Sequence, residues 1–253
     1  MRVTSCGMTD VGMKRSNNED NYLINDELSL FIVCDGMGGH VGGEFASAIA
    51  VNSIEEVLAS IDKHPEAVRE GLTDPLEVMR EKVRYAIRLA GKRIYEKAAA
   101  EPEYRGMGTT ANVVVIEGGN AYVAHVGDSR TYLLREDTFE QLTEDHSWVN
   151  EQIREGLLTP DEAKTHRQRN IITRSLGYQE DVLVDLQVRA LRKQDVMMIC
   201  SDGLSNYVEA DEMGEILRGH PPQKAARRLV ELACERGGDD NITTVIVRVE
   251  DAA

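Results

Sequence analysis

The chain has 253 residues, of which 42% are hydrophobic and 29% charged, and its formal net charge is −15 at pH 7. This length is sufficient for one large domain or two small ones with an extensive core. The acidic excess argues against nucleic acid or an anionic membrane as the partner. It suits a protein that concentrates carboxylates around a divalent metal, but many soluble proteins are simply acidic, and we favour this plainer explanation.

The four cysteines lack the spacing of a zinc site, and most of them lie in apolar segments. This pattern predicts reduced thiols and a reducing compartment. The first residues lack the apolar region of a signal peptide, and no apolar run approaches the ~20 residues of a membrane span. We therefore expect a cytoplasmic protein without a membrane segment.

The first half of the chain alternates between strand and helix patterns. Strands are predicted at 2–8, 22–25 and 30–34, and an amphipathic helix at about 43–61. A second helix is predicted to begin at Pro75, with Asp74 as its N-cap and Glu77 completing a capping box, and to run to about residue 100.

The second half begins with hairpins. Strands are predicted at 111–116 and 120–126 around Gly118 and Gly119, and then at 131–134, 182–188, 196–200 and 242–249. Helices are predicted at 210–217 and 222–236. Consecutive hairpins indicate antiparallel strands and exclude a doubly wound nucleotide-binding fold. We expect one α+β domain, residues 1–253.

The segment 143–177 interrupts this pattern with polar sequence. Short helices are predicted near 148–155 and after Thr159, where Thr159 and Glu162 form a capping box. We interpret the segment as a flap inserted between strands. It carries a run of basic residues without an acid, which is interpreted either as a solvated face, the favoured explanation, or as a surface that steers phosphorylated peptides: Lys164, His166, Arg167, Arg169 and Arg174.

Acidic turns follow or precede three strongly apolar strands. Asp35 and Asp202 each precede a glycine at a strand end, and Asp240 lies two residues after Gly238, before the last strand. A single aspartate at such a position is normally an ordinary turn residue. Three such turns, with further acids at Glu19, Asp20 and Asp128, predict a cluster of oxygen ligands. Oxygen ligands without histidine or cysteine favour Mg²⁺ or Mn²⁺ over zinc.

Seven short motifs carry a resemblance that extends over almost the whole chain: RSNNEDN (15–21), DGMGGHVGGEFAS (35–47), MGTT (107–110), HVGDSR (125–130), LTEDHS (142–147), SDGL (201–204) and GGDDNIT (237–243). In this order they resemble the type-2C, metal-dependent serine/threonine protein phosphatases, in their short bacterial form. The resemblance implies a four-layer α-β-β-α sandwich, in which helix pairs flank two antiparallel sheets, with metals at one end.

The resemblance also implies roles for the clustered acids. Asp35 matches the carboxylate that bridges two metals, and Gly36 matches the residue whose carbonyl binds one of them. Asp202 and Asp240 match the other ligands of the first metal. Asp128, with Asp202, matches the ligands of a third, weaker metal of bacterial members. The implied cofactor is Mn²⁺ or Mg²⁺, two per site with a possible third.

Further roles follow from the loop before Asp35. Glu19 matches the acid near the second metal, Asp20 its water-holding neighbour, and Arg15 the arginine that grips the substrate phosphate. The guanidinium fork suits phosphate oxygens. Related eukaryotic proteins have a histidine as proposed general acid where this chain has Met37. His40 is the nearest imidazole, and we leave open whether it protonates the leaving group or is structural.

No serine or cysteine nucleophile is required, because the resemblance implies direct attack by a metal-activated water. Cys34 and Cys200 flank the acids but lie inside apolar runs, so we interpret both as structural thiols. His125 and His146, which also lie in motifs, are interpreted as hydrogen-bonding residues in turns.

The sequence thus predicts a phosphatase acting on phosphoserine and phosphothreonine. Its expected partners are phosphorylated proteins, the substrates of a bacterial Ser/Thr kinase and the kinase itself, with no nucleic acid or membrane, and we expect a monomer. The main alternative is a catalytically silent phosphatase-like module that binds phosphoproteins, which the complete ligand set disfavours. A two-metal phosphodiesterase or nuclease is disfavoured by the acidic surface and the lack of an aromatic-basic groove.

Overall fold

The computed structural model describes residues 1–38 and 42–251. The strands of these residues are β1 Arg2–Asp10, β2 Asp20–Asn25, β3 Leu30–Met37, β4 Gly108–Thr109, β5 Ala111–Glu117, β6 Asn120–Val126, β7 Arg130–Arg135, β8 Thr138–Gln141, β9 Asp185–Ala190, β10 Val196–Cys200 and β11 Ile242–Asp251. The α-helices are α1 Gly42–Ala59, α2 Pro75–Ala100, α3 Trp148–Arg154, α4 Pro160–Lys164, α5 Asp202–Ser205, α6 Ala210–Gly219 and α7 Pro222–Glu235. Short 3₁₀ turns lie at Ile61–Lys63, Pro65–Ala67 and Pro102–Tyr104.

The strands form two sheets in which every neighbouring pair is antiparallel. One sheet has the order β1-β11-β10-β7-β8, and the other has the order β2-β3-β5-β6-β9, with the short β4 paired to β3. The hairpin signal at Gly118 and Gly119 is confirmed, since Glu117 faces Asn120 across the β5–β6 turn. Both glycines have positive φ, which residues with a side chain rarely adopt.

Side-chain alternation on β3 shows how the layers are built. Leu30, Ile32 and Cys34 point into an apolar core with α1 and α2, while Phe31 and Val33 point into the core between the two sheets. A strand with both faces covered is apolar throughout, which explains its continuous hydrophobic run.

The sheet that contains β10 is covered in the same way. Met197 and Ile199 of β10 pack against the sheet that contains β3, whereas Met198 and Cys200 face the core with α6 and α7. The order of layers is therefore α1/α2, sheet, sheet, α6/α7. The predicted four-layer sandwich is confirmed.

Some local predictions require correction. The strand predicted at 182–188 begins at Asp185, and β8 and α5 were not predicted. Asp74 caps α2 by accepting the N–H of Leu76 at 3.0 Å, but Glu77 accepts a hydrogen bond from Arg80 instead of completing the predicted capping box. No helix in the described ranges is long and apolar enough to cross a membrane.

The segment 143–177 leaves the sheets after β8 and returns before β9. It contains α3 and α4, and the predicted capping box of Thr159 and Glu162 is present at the start of α4. Isolated bridges pair Ser147 with Ile172 and Thr109 with Leu176, so both ends of the segment are held.

Candidate metal centre and active site

The sandwich becomes polar at one end, and strand register explains why. Asp35 follows Phe31 and Val33 at two-residue intervals on β3, so the alternation directs it towards the space between the sheets. Asp20 is its direct cross-strand partner on β2. The two carboxylates therefore belong to neighbouring strands on the same side of one sheet.

Asp20 is buried, with 5% of its surface exposed. Its Oδ2 accepts hydrogen bonds from Ser201 Oγ at 2.8 Å and Thr243 Oγ1 at 2.6 Å. Ser201 follows β10 and Thr243 lies in β11, so both donors come from the other sheet. Its Oδ1 is buried and has no hydrogen-bond partner among the described residues. Burial raises the pKa of Asp20 to about 7, although the two hydroxyl hydrogen bonds oppose this shift.

Asp35 is the centre of the acidic cluster. Its N–H donates to Thr110 Oγ1 at 2.9 Å, and its carbonyl accepts from Thr109 Oγ1 at 2.8 Å, which fixes the end of β3. Desolvation raises the pKa of Asp35 well above its usual range, and four neighbouring carboxylates raise it further. These neighbours are Asp20, Asp202, Asp128 and Asp240.

Asp128 lies in the turn between β6 and β7 and is 7% exposed. Its Oδ1 is also buried without a hydrogen-bond partner in the described part of the chain. The next residue, Ser129, lies with its Oγ 2.7 Å from Thr110 Oγ1, the atom that accepts the Asp35 N–H. Burial, followed by Asp202, raises the pKa of Asp128. The turn is therefore coupled to Asp35 through one threonine.

Asp202 is the first residue of α5, directly after the buried strand β10. Its Oδ2 accepts from Asn206 Nδ2 at 3.1 Å. Burial and then Asp240 raise its pKa. The adjacent Gly203 is required for close approach, because a Cβ there would lie 2.0 Å from the carbonyl oxygen of Asn241.

Gly36, whose carbonyl the resemblance assigns to a metal, is buried between two backbone segments. A Cβ at this position would lie 2.1 Å from Gly43 O and 2.5 Å from Glu19 O. Its N–H donates to Glu19 O at 3.1 Å. The close approach joins the start of α1 to the loop that carries Glu19.

Arg15 and Asp240 form an ion pair at the rim, with Arg15 Nη2 2.8 Å from Asp240 Oδ2 and 52% of the arginine side chain exposed. Glu19 lies beside them. Its pKa is raised by burial, while Arg15 opposes the shift. An exposed guanidinium next to the acidic cluster is placed to meet an anion that approaches from solvent.

Asn241 is a site residue that the sequence analysis did not single out, although it follows Asp240 within the last motif. Its Oδ1 accepts the Glu19 N–H at 2.7 Å, and its Nδ2 donates to Val11 O and Asn17 O, both at 2.9 Å. It thus ties the N-terminal acidic loop to the C-terminal one. Its position beside Asp240 was the available signal.

Three other predicted residues have varied outcomes. His40 lies outside the described residues. Cys34 and Cys200 are fully buried, and burial raises the pKa of both thiols, that of Cys200 to about 12. A thiol that remains protonated in an apolar core is a poor nucleophile. The structural interpretation of the two cysteines agrees with this environment.

The two motif histidines are both hydrogen bonded, but only one lies in a loop. His125 is in strand β6, so its assignment to a turn was wrong, and its Nε2 lies 2.8 Å from Glu144 O. His146 lies in the loop before α3, and its Nδ1 accepts the N–H of Gly127 at 3.0 Å.

The basic residues of the flap are partly neutralised. Lys164 lies 3.5 Å from Glu209, and Arg174 lies 3.0 Å from Asp185. The ring of His166 stacks on Trp148 with centroids 4.9 Å apart. Arg167 and Arg169 have no ion pair within 4.0 Å in the described ranges. The flap is therefore less positive than its sequence indicates.

The donor set fits hard divalent cations. The clustered side chains offer only oxygen, and the buried atoms Asp20 Oδ1 and Asp128 Oδ1 have no hydrogen-bond partner within residues 1–38 and 42–251. The nearby cation Arg130 is already engaged by Asp145, at 2.7 Å. Crowded carboxylates with unused oxygens and little compensating charge are the ligands that Mg²⁺ and Mn²⁺ prefer. Fold and site together define an α-β-β-α protein with an oxygen-rich metal centre.

Comparison with known proteins assigns the family. The profile described as Protein phosphatase 2C matches residues 2–242, and the chain belongs to this family. It is 38% identical over 248 residues to Protein phosphatase PhpP of Streptococcus pneumoniae, with 96% of each chain covered. It is also similar in structure to the Mycobacterium tuberculosis serine/threonine phosphatase PstP/Ppp, with a TM-score of 0.84, 36% identity and coverage of 98% and 99%. A PstP catalytic domain in complex with 2 manganese ions has a TM-score of 0.81 and 34% identity, with coverage of 98% of this chain and 99% of that one.

Proposed function

We propose that the chain is a Mn²⁺- or Mg²⁺-dependent protein phosphatase that hydrolyses phosphoserine and phosphothreonine. The observation that carries this proposal is the position of Asp35, which faces four other aspartates in a desolvated cluster. Such a cluster is unfavourable by itself, because like charges in a poorly solvated site repel one another. Divalent cations would convert this repulsion into binding.

Two cations would be held around Asp35. Asp202 and Asp240 would complete the first site, and Glu19 with the carbonyl of Gly36 would serve the second. Asp128 and Asp202 would hold a third, weaker cation. When bound, the cations would lower the pKa of a water molecule and offset the charge of the phosphate.

The chain's own polar residues would orient the reactants. Arg15 would donate from its guanidinium to the phosphate oxygens, since it is exposed beside the acids. Asp20 would accept a hydrogen bond from the attacking water through Oδ1, which is unpartnered in the described residues. His40 or a water molecule would return a proton to the leaving oxygen; this assignment stays a prediction.

Both alternative functions have less support. A silent binding module would not need the acidic side chains and Arg15 together, and all are present. The relatives are named as phosphatases. A phosphodiesterase or nuclease fits poorly with the net charge of −15.

The physiological substrates and the extent of the catalytic domain are proposed from the sequence and the family. We propose that the substrates are proteins phosphorylated by a bacterial Ser/Thr kinase, and that the kinase itself is one of them. We also propose that residues 1–253 form one catalytic domain with a flap at 143–177. The monomeric state and the cytoplasmic location stay predictions from the sequence.

Phosphate release from a phosphothreonine peptide tests the function. Wild type and Asp202→Asn should be compared with Mn²⁺, with Mg²⁺ and with chelator. Release by wild type should require metal and fall by at least about 100-fold in the variant, because two proposed cations share this ligand. Absence of release by a wild-type protein that binds Mn²⁺ in calorimetry would instead support the silent module.

A further inference from the structure

His146 links the flap to the turn that carries Asp128, and neither the family assignment nor the proposed metal ligands give it a role. Its imidazole lies at 7% exposure between β6, β9 and the flap. Its ring stacks on His125 with centroids 4.6 Å apart. Its two nitrogens point in different directions, so each can be assigned a separate partner.

The backbone fixes the tautomer of His146. Gly127 N–H can only donate, and it points at His146 Nδ1 at 3.0 Å, so Nδ1 carries the lone pair. The remaining proton of a neutral imidazole then lies on Nε2, which is 3.0 Å from Asp185 Oδ2. Burial lowers the pKa of His146 to about 4, which keeps the ring neutral near pH 7.

Asp185 also contacts Arg174 of the flap, because Arg174 Nη1 donates a hydrogen bond to Asp185 Oδ1 at 3.0 Å. The same Nη1 lies 3.0 Å from His146 Nε2, but both of these nitrogens bear hydrogen and cannot bond to each other. The grouping of His125, His146 and Asp185 could in principle hold a metal. Here the guanidinium already supplies the positive charge at this point, so we do not assign a metal there.

The backbone of His146 anchors the flap as well. Its carbonyl accepts the N–H of Thr173 at 2.9 Å, and Trp148 N–H donates to Ile171 O at 2.8 Å. The N–H of His146 donates to Gly127 O at 3.0 Å. His146 and Gly127 therefore exchange two hydrogen bonds, one through the backbone and one through the side chain.

Gly127 has no freedom to compensate for a lost partner. Its φ is +107°, and a Cβ there would lie 2.5 Å from Thr110 Cγ2, so the turn is closely packed. A buried N–H without an acceptor costs free energy, and the turn would shift to recover one. Asp128 is the next residue and would move with it.

We infer that His146 is a positioning residue that holds the Gly127–Asp128 turn in place and joins it, through Asp185 and Arg174, to the flap. The inference rests on the proposed function only in making Asp128 a metal ligand. The hydrogen bond to Gly127 is a separate claim and can be tested without metal.

A matched pair of variants separates the two nitrogens. In His146→Asn, Oδ1 is bonded to Cγ as Nδ1 is in histidine, so the acceptor for Gly127 N–H is retained and the contact with Asp185 is lost. In His146→Gln, the amide reaches the position of Nε2, so the opposite holds. A role in general packing would affect both variants equally.

Hydrogen exchange in chelator-treated protein is the first measurement. The Gly127 amide should exchange on the order of tenfold faster in His146→Gln than in wild type or His146→Asn. Protection of Ile199 and Val245, in the core between the sheets, reports whether each variant is folded. Equal exchange at Gly127 in the two variants, or unchanged exchange in His146→Gln, would overturn the inference.

Mn²⁺ calorimetry is the second measurement. His146→Gln should weaken the weakest Mn²⁺ site on the order of tenfold, His146→Asn should not, and His146→Gln should have no further effect in Asp128→Ala. An additive effect in the double variant would overturn the link to Asp128. If wild type released no phosphate, the proposed function would fail, while the Gly127 exchange result would still decide the role of His146.

Discussion

Asp20 and Asp35 are direct cross-strand partners on β2 and β3, and both carboxyl groups lie at the polar end of the sandwich. Like charges placed opposite each other in a sheet are destabilising. The fold places three more aspartates close by, Asp128, Asp202 and Asp240, so strand pairing and the neighbouring loops together concentrate the negative charge. Repulsion among these carboxylates therefore destabilises the metal-free protein at the end of the sandwich where cations bind.

The pH dependence of stability should carry a signature of Asp20. Its pKa is 3.8 ordinarily and about 7 here, because of burial. The folded protein binds this proton more tightly than the unfolded chain does. Protonation of Asp20 therefore contributes to the free energy of unfolding in full below about pH 4, and this contribution is lost as pH rises through about 7. With chelator present, the free energy of unfolding of Asp20→Asn minus that of wild type should increase between these values by a few kcal/mol.

Urea unfolding at a series of pH values measures this difference. Asp62→Asn, which alters an exposed aspartate in the turn Ile61–Lys63, is the matched control. A profile for Asp20→Asn no steeper than that of the control would show that burial does not perturb Asp20.

Neutralising Asp35 should weaken metal binding and raise the free energy of unfolding of the metal-free protein. In chelator, Asp35→Asn should be more stable than wild type by about 1–3 kcal/mol, because four repulsive interactions are removed. Wild type should gain about 2.7 kcal/mol when Mn²⁺ is present at 100 times its dissociation constant, and the variant much less. Thermal unfolding with and without Mn²⁺ measures both effects. An equal gain from Mn²⁺ in the two proteins would place the metal elsewhere.

Arg15 should affect substrate binding more than folding. Arg15→Ala should lower kcat/KM for a phosphothreonine peptide by about 10- to 100-fold, and Arg15→Lys should recover part of this loss, because lysine keeps the charge but not the fork. Arg228→Ala, which breaks an exposed ion pair with Glu235 on α7, is the control. Steady-state kinetics at saturating Mn²⁺ decide the matter, and similar values for both alanine variants would exclude Arg15 from the site.

Close approach at Gly203 should make it intolerant of a side chain. Gly203→Ala should destabilise the protein by about 2–4 kcal/mol, since its Cβ would lie 2.0 Å from Asn241 O. Gly219→Ala at the end of α6 meets no atom of the described residues within 4 Å and should be neutral or slightly stabilising. Chemical denaturation of the two variants gives the comparison. Equal free energies of unfolding for the two variants would mean that the backbone around α5 moves to accommodate the Cβ without destabilising the fold.

Several features were decided by the sequence alone, because their causes are local. The run from Leu30 to Cys34 is apolar at every position, which requires a strand covered on both faces. Pro75 and the periodicity after it specify α2 over its whole length. The order of the seven motifs also identified the family. The sharp turns expected at the glycines after Asp35 and Asp202 are absent from the described structure, because Gly36 lies within β3 and Gly203 within α5.

Only the tertiary structure decided how these parts meet. Asp20 accepts from Ser201 and Thr243, which are 181 and 223 positions away, and no local pattern encodes such a contact. Asn241, the partner of Glu19, belongs to the opposite end of the chain. His125 was interpreted as a turn residue, although the predicted strand 120–126 includes it; it lies in β6, and its side chain is buried there. Burial and hydrogen-bond partners are properties of the packed layers, which is why the residue types could be predicted and their environments could not.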